Sequence, residues 1–75
     1  MFVVGDYVRV IENDDQEEVS GLSGVIVIAG RYNCGVDFGK GFDGHKLEGE
    51  LPNHTGWYVK NEYLVLSKRG NGSVY

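Results

Sequence analysis

Two histidines are the residues whose chemistry could support catalysis. His45 and His54 lie nine residues apart in the second half of the chain. Imidazoles titrate near neutral pH, so such a pair could act as acid and base in phosphodiester cleavage, or could bind a metal ion. The spacing matches no metal-site pattern, and the only cysteine, Cys34, alternates with apolar residues along a predicted strand. We therefore predict loop hydrogen bonding for both histidines and assign no catalytic residue, metal or cofactor.

Aromatic residues are the strongest indication of a binding surface. Trp57 and Tyr58 are neighbours in a predicted strand, so their side chains point to opposite faces and only one of them enters the core. Phe42 lies in a glycine-rich segment with no strand pattern to bury it. Trp and Tyr anchor binding surfaces because they provide a large, rigid contact area with a polar tip. The pattern predicts a ligand-binding face or, alternatively, a small additional core of Trp57, Phe42 and Leu47 beneath a loop.

The negative charge is concentrated in one segment. The chain has 11 acidic and 7 basic residues, a formal net charge of -4, and five of the acids lie within residues 12–18. The rest of the chain is therefore close to neutral. Such a segment is interpreted as a solvated loop that limits self-association or, alternatively, as a recognition loop for a basic partner surface or a nucleic-acid mimic. The acids expected to contact that partner are Asp14, Asp15, Glu17 and Glu18.

The basic residues form no continuous run. Those outside the C-terminal segment are Arg9, Arg31, Lys40, Lys46 and Lys60. Binding to phosphates through such dispersed residues would be weak and strongly dependent on salt. The sequence Gly39-Lys40-Gly41 also lacks the Gly-Lys-Ser/Thr ending and the following helix of a phosphate-binding loop. A protein is therefore the favoured partner, and nucleic acid is the alternative.

The elements that must position these residues are short strands. Apolar residues occur in brief runs separated by glycine, which is typical of an all-β chain. The runs predict strands at residues 7–11, 24–29, 34–38, 57–59 and 63–66. The second run has no polar face and predicts a central strand. A long glycine-rich loop, Gly39 to Gly56, precedes the fourth strand; loops of this length in small domains are usually functional or disordered.

Five short strands with a long early connection predict a small, strongly bent barrel, because closure removes exposed sheet edges. We predict a barrel domain over residues 1–66 and a flexible C-terminal tail over residues 67–75.

At 75 residues the core is small, and one cysteine excludes an internal disulfide. No apolar run is long enough to span a membrane and the first residues lack the basic flank of a secretion signal. A monomeric cytoplasmic protein is therefore expected.

Several segments resemble known small barrels. Gly56-Trp57-Tyr58-Val59 and the residues up to 66 resemble the end of an SH3-like barrel, where a glycine, two bulky residues, a one-turn helix and a Tyr-led strand follow in order. Gly21-Leu22-Ser23-Gly24-Val25 resembles the Gly-x-x-Gly-x-Val opening of CAP-Gly and KOW-type modules, and Gly5–Val10 resembles their first strand. Cys34-Gly35-Val36-Asp37-Phe38 resembles a further CAP-Gly landmark. The resemblance spans about residues 5–66.

This resemblance implies a five-stranded SH3-like barrel in which Tyr58 points inward while Trp57 and Tyr63 line a surface groove. CAP-Gly domains capture acidic-aromatic tails with a Gly-Lys-Asn-Asp-Gly loop. The matching positions here read Lys40-Gly41-Phe42-Asp43-Gly44, so the lysine and asparagine of that loop are missing. The resemblance therefore implies the fold and a binding face, without implying that ligand class.

The combined interpretation is a non-enzymatic protein-binding module. The order Gly35-Val36-Asp37-Phe38, Gly44-His45 and His54-Thr55-Gly56-Trp57 is also similar to small proteins of bacteriophages and prophages. That similarity implies a phage-encoded protein that binds a host protein in the host cytoplasm. The residues predicted to contact the partner are Trp57, Tyr63, Phe42, His45, His54, Lys40, Asp14, Asp15, Glu17 and Glu18. The alternatives are a KOW-like nucleic-acid-binding module and, least favoured, a small barrel-type nuclease that uses both histidines.

Overall fold

The computed structural model describes residues 1–70. Its five strands are β1 (Tyr7–Val10), β2 (Ser23–Ala29), β3 (Asn33–Asp37), β4 (Gly56–Lys60) and β5 (Leu64–Lys68). One turn of 3-10 helix, η1 (Asn61–Tyr63), joins β4 to β5. The prediction of an all-β chain with five short strands is confirmed, and η1 lies between the fourth and fifth strands, where the residues predict a tight turn.

The strands form one antiparallel sheet in the order β4-β3-β2-β1-β5, with β2 at its centre as predicted. Within residues 1–70 no pairing joins β4 to β5, so the predicted closure into a barrel is wrong and the sheet keeps two edges. The single turn η1 carries the chain away from β4, and β5 then pairs with β1, where Arg9 lies opposite Val65. The edge of β4 is bonded instead by residues of the two long connections.

The core lies on one face of this sheet. Its buried residues are Val8, Val10, Val19, Ile26, Cys34, Val36, Val59 and Leu64. Val8 and Val10 in β1, and Cys34 and Val36 in β3, are alternate residues of their strands, so each pair lies on one face, and that face is the core face. Full burial of each valine, leucine or isoleucine contributes about 1.5–3 kcal/mol to folding. Burial also raises the pKa of the Cys34 thiol, in keeping with its position in the core.

The long loop covers part of the opposite face. Leu47 is fully buried and Leu51 nearly so, and their side chains lie over Gly56. Leu47 also approaches Gly35, the neighbour of Tyr58 in the β3–β4 pairing. The additional core considered above is thus present around Leu47, but its partners are Leu51 and two glycines; Trp57 and Phe42 pack against the main core.

Asp6 joins the two ends of the described chain. Its fully buried carboxylate accepts the backbone N–H groups of Val3 at 2.9 Å and Gly70 at 2.6 Å, and the guanidinium of Arg69 at 3.0 Å. Burial opposes ionisation, but these donors outweigh it and lower the pKa of Asp6 below its usual range. The fold therefore continues through Gly70, beyond the predicted boundary at residue 66. The remainder of the predicted tail, residues 71–75, lies outside the described residues.

Candidate functional site

The acidic segment, residues 12–18, is bound to the edge of β4. The side-chain amide of Gln16 donates to the carbonyl of Tyr58 at 3.0 Å and accepts the backbone N–H of Lys60 at 2.9 Å. These edge groups are of the kind that a further strand would bond. Asn13 Oδ1 in turn accepts the N–H of Gln16 at 2.7 Å. One amide side chain therefore covers this part of the sheet edge and fixes the position of the segment.

Asp15 connects the acidic segment to η1. Its Oδ2 accepts hydrogen bonds from Lys60 Nζ at 2.6 Å and from the Tyr63 hydroxyl at 3.0 Å. The Lys60 hydrogen bond, followed by that of Tyr63, lowers the pKa of Asp15, and the same bonds raise the pKa of both partners. Since the Asp15 and Lys60 side chains are each about half exposed, this pair orients the segment more than it stabilises the fold.

The Tyr63 hydroxyl offers a direct test of this contact. Asp15→Asn is expected to return the pKa of Tyr63 towards about 10, because the charged acceptor that disfavours the phenolate is gone. A pH titration of the chain labelled with ¹³C at the tyrosine Cζ measures this shift. The control Asp14→Asn removes a neighbouring exposed charge. A Tyr63 pKa that stays raised in Asp15→Asn would contradict the hydrogen bond.

The remaining acids of the predicted contact set face the solvent. Asp14, Glu17 and Glu18 are exposed, whereas the next residue, Val19, is buried in the core. Gln16, within the segment, and Val19, immediately after it, therefore attach the segment to the rest of the fold. The segment forms hydrogen-bonded turns around these anchors, such as the N–H of Val19 donating to the Gln16 carbonyl. The acidic surface is held in place rather than carried on an unattached loop.

Gln16→Ala is expected to lower the free energy of unfolding by about 1–2 kcal/mol, because two hydrogen bonds and the cover of an edge strand are lost together. The amide of Lys60 should also exchange with solvent faster, since Gln16 Oε1 is its acceptor. Chemical denaturation and hydrogen exchange measure the two effects. Glu17→Ala is the matched control at the neighbouring exposed position, and protection of Lys60 that is unchanged in Gln16→Ala would refute the role of the amide.

The aromatic residues form a cluster at the start of β4. Phe42 contacts Phe38 with ring centroids 5.0 Å apart and forms a T-shaped pair with Trp57, with centroids 6.0 Å apart. The ring of His45 lies 5.4 Å from Trp57 and 5.4 Å from Tyr58. The rings of Trp57, Phe42 and His45 are half-buried, so the aromatic cluster keeps accessible surface.

The orientation of the two neighbouring aromatics is the reverse of the one that the family resemblance implies. Trp57 pairs with Val36 and packs against the core, whereas Tyr58 pairs with Gly35 on the opposite face. The reason is the register of β3 and β4, which places Val59 opposite the buried Cys34 and thereby assigns Trp57 to the same face. Burial is the main cause that raises the pKa of Tyr58, and the nearby carboxylate of Glu48 raises it further.

His45 fixes the long loop to β4. Its backbone exchanges two hydrogen bonds with Gly56, each at 2.9 Å, and its Nδ1 accepts the N–H of Leu47 at 3.3 Å. His54 is exposed, and its carbonyl accepts the N–H of Gly44 at 2.6 Å. Within residues 1–70, no three His, Cys, Asp or Glu side chains are grouped so that they could hold a metal ion.

The other predicted contact residues separate into two places. Lys40 and Phe42 line an open cleft of about 270 Å³ together with Leu22 and Phe38. Tyr63 has no ring contact with the aromatic cluster in the described part of the chain and is bonded to Asp15 instead. The structure therefore brings Trp57, Phe42 and His45 together, places Lys40 beside them, and assigns Tyr63 to the acidic segment.

Sequence reasoning missed two residues that build this surface. Gln16 lies within the predicted acidic loop, and Asn13, three residues before it, is a recognisable turn-capping signal that indicates an ordered turn there. Asn61, in η1, donates from Nδ2 to the carbonyls of Gly30 and Arg31, each at 3.1 Å, and so ties the β2–β3 turn to η1. No local pattern indicates that contact, because its partners are about thirty residues away.

Comparison with known proteins finds no relative, because no protein-family model, curated protein or solved structure matches this chain. In the described residues, no helix has the length and apolar character to cross a membrane.

Proposed function

We propose that this chain is a non-enzymatic protein-binding module whose acidic segment and aromatic cluster together hold a partner with a basic surface. The observation that supports this proposal is the attachment of Gln16 to β4, which restrains the segment while Asp14, Glu17 and Glu18 stay exposed. A restrained surface loses less conformational entropy on binding than a mobile loop. Its charge also steers a basic partner during encounter.

One strand adjoins both parts of this surface. Trp57, near the start of β4, packs with Phe42 and His45, while Lys60 at its end is paired with Asp15. A partner seated along β4 could thus bury aromatic area at one end and meet carboxylates at the other. Aromatic anchors supply most of the binding energy of such interfaces, and rim charges supply orientation and rate.

The finer architecture that we propose is an open, SH3-like arrangement. Two features support it: the strand order β4-β3-β2-β1-β5 and the 3-10 turn immediately before the last strand. The similarity to small phage proteins supports a phage origin, with a host protein as the partner and the host cytoplasm as the place of binding.

A charge-reversal pair tests the proposed function. Glu17→Lys/Glu18→Lys should weaken binding of a lysine-rich peptide by about tenfold at low salt, with the loss shrinking as salt rises. Asp43→Lys/Glu50→Lys makes the same change in net charge at exposed positions of the long loop. Affinities measured by NMR titration should change much less in that control. Equal losses in both double variants would show that only net charge matters and would refute a specific acidic surface.

Two further measurements distinguish the alternative functions. An oligonucleotide that binds more tightly than the basic peptide would favour the nucleic-acid-binding module. Cleavage of a phosphodiester substrate that is lost in His54→Ala would favour the nuclease. Either result would overturn the protein-binding proposal.

A further inference from the structure

The two edges of the sheet differ in how their backbone groups are hydrogen-bonded. At β4, Gln16 bonds the backbone at Tyr58 and Lys60, and His45 bonds it at Gly56. At β5, the other edge, no segment of residues 1–70 pairs with the outer side. Exposed edges promote unwanted pairing, so proteins usually cover, shorten or charge them. Within residues 1–70, two separate contacts cover one edge and none covers the other, which indicates a use for the open edge.

The hydrogen bonds of β1 show which backbone groups of β5 point outward. Alternate residues of a strand direct their N–H and C=O groups to opposite sides. Val10 exchanges hydrogen bonds with the β2 side, donating to Leu22 and accepting from Gly21. Ile11 donates to the carbonyl of Tyr63 and so faces β5. Odd-numbered residues at this end of β1 therefore face β5.

Arg9 consequently faces β5, and Val65, directly opposite it, faces β1. The N–H and C=O groups of Leu64 and Leu66 then point away from β1, in the plane of the sheet and beyond its edge. The N–H of Leu64 is used by the Asn61 carbonyl in η1. In the part of the chain that the structure describes, no backbone hydrogen bond uses the carbonyl of Leu64 or either backbone group of Leu66, so these groups are available to an added strand. They provide two acceptors and one donor in the spacing of a β-ladder.

The side chains beside this edge are apolar and basic. On the face opposite the core, Tyr7 is 51% exposed and Val65 is 48% exposed, and Leu66 is 38% exposed at the edge itself. Arg9 lies beside Val65, and Lys68 lies beside Tyr7. Neither β1 nor β5 contains an acidic residue. This edge is therefore opposite in charge to the acidic segment on β4.

We propose that the outer edge of β5 is a second docking site, which binds an extended acidic segment of another protein as an added β-strand. The backbone of that segment would bond Leu64 and Leu66. In the added strand, the residue opposite Leu66 would lie on the same face of the sheet as Leu66. Its two neighbours in that strand would lie on the other face, which carries Arg9 and Lys68. The preferred ligand therefore alternates acidic, apolar and acidic residues. Main-chain bonds provide the affinity and the two cations provide the selectivity.

The test uses a blocked pentapeptide, Thr-Glu-Val-Glu-Thr, and its counterpart with lysine in place of glutamate, titrated into the ¹⁵N-labelled full chain. The acidic peptide should shift the amide signals of Leu64 to Leu66, and the lysine peptide should not. Leu66→Pro removes the outward N–H without removing a ladder bond and should weaken binding about tenfold. Leu66→Ala keeps that N–H and should bind within about twofold of the parent chain. Equal affinities of the two variants would overturn the proposal.

A second pair of variants keeps the proposal testable if Leu66→Pro does not fold. Arg9→Glu/Lys68→Glu should abolish the binding of the acidic peptide, whereas the control Arg31→Glu/Lys46→Glu should leave it measurable. Equal effects of the two would refute the site. Tighter binding of oligothymidylate at the same amides would assign the surface to nucleic acid, and a dimer seen by sedimentation that Leu66→Pro dissociates would assign it to a second copy. Both results would replace the proposed occupant.

Discussion

Asp6→Ala is expected to lower the free energy of unfolding by about 3 kcal/mol, which is most of the stability that a domain of this size has. The carboxylate is fully buried and accepts bonds from Val3, Arg69 and Gly70. Alanine removes the acceptor of all three donors at once. Because these donors lie before β1 and after β5, both ends of the described chain should loosen together.

Urea denaturation measures this loss, with two control variants. Asp6→Asn retains the shape and one acceptor oxygen but loses the charge, so its cost should lie between those of the parent chain and Asp6→Ala. Asp14→Ala removes an exposed carboxylate and should change stability by less than about 0.5 kcal/mol. An effect of Asp6→Ala no larger than that of Asp14→Ala would show that the buried carboxylate does not hold the two ends of the described chain.

The same residue determines how stability depends on pH. The pKa of Asp6 is lowered in the folded chain, so the unfolded chain binds a proton first as the solution is acidified. The stabilisation is present above the unfolded pKa of about 3.9 and is lost as the pH falls below it towards the folded value. Asp6→Asn should therefore show a weaker loss of stability below about pH 4 than the parent chain.

Gly56→Ala is the second large effect, with an expected loss of about 2–3 kcal/mol. A Cβ at this position would lie 2.5 Å from Leu47 Cγ and 2.8 Å from Leu51 Cδ1. Leu47 cannot move aside readily, because it is fully buried and its backbone is left-handed, with φ of 53°. The added methyl group would force the long loop off the sheet and disturb the bonds between Gly56 and His45.

A double-mutant cycle distinguishes this clash from a general effect of alanine. Leu47→Ala alone costs stability through the cavity that it leaves. Combined with Gly56→Ala, it makes room for the new methyl group, so the double variant should be more stable than the sum of the single losses predicts, by about 1 kcal/mol or more. Strict additivity would show that Leu47 and Gly56 do not constrain each other. Thermal and urea unfolding provide the four free energies.

The proposed surfaces lie on opposite edges of one sheet and have opposite charge. The acidic segment is attached to β4, and Arg9 and Lys68 adjoin β5. The two binding experiments can therefore fail independently, since Glu17 and Glu18 are changed in one and Arg9, Leu66 and Lys68 in the other. If both hold, the chain is an adaptor that links a basic surface to an extended acidic segment.

Some features could be read directly from the sequence. Alternation grouped Val8 with Val10 and Cys34 with Val36 on one face of each strand, which the structure buries, and the unbroken apolar run predicted that β2 is central in the sheet. Strand ends were less well predicted: β5 continues to Lys68, because its pairing with β1 extends it past the last apolar residue. The predicted closure failed because edge pairing depends on partners distant in sequence, and here Gln16 and His45 bond the edge of β4.

The sequence by itself determined that the chain is all-β, where its charge is concentrated, and that only one of Trp57 and Tyr58 could face the core. These properties depend on the period of a strand and on local composition, which neighbouring residues carry. Only the tertiary structure decided that Trp57 is that residue, that Gln16 turns a charged loop into a fixed surface, and that Lys68 lies beside Tyr7. The physical reason is that register and edge contacts are set by free energies summed over residues far apart in the chain.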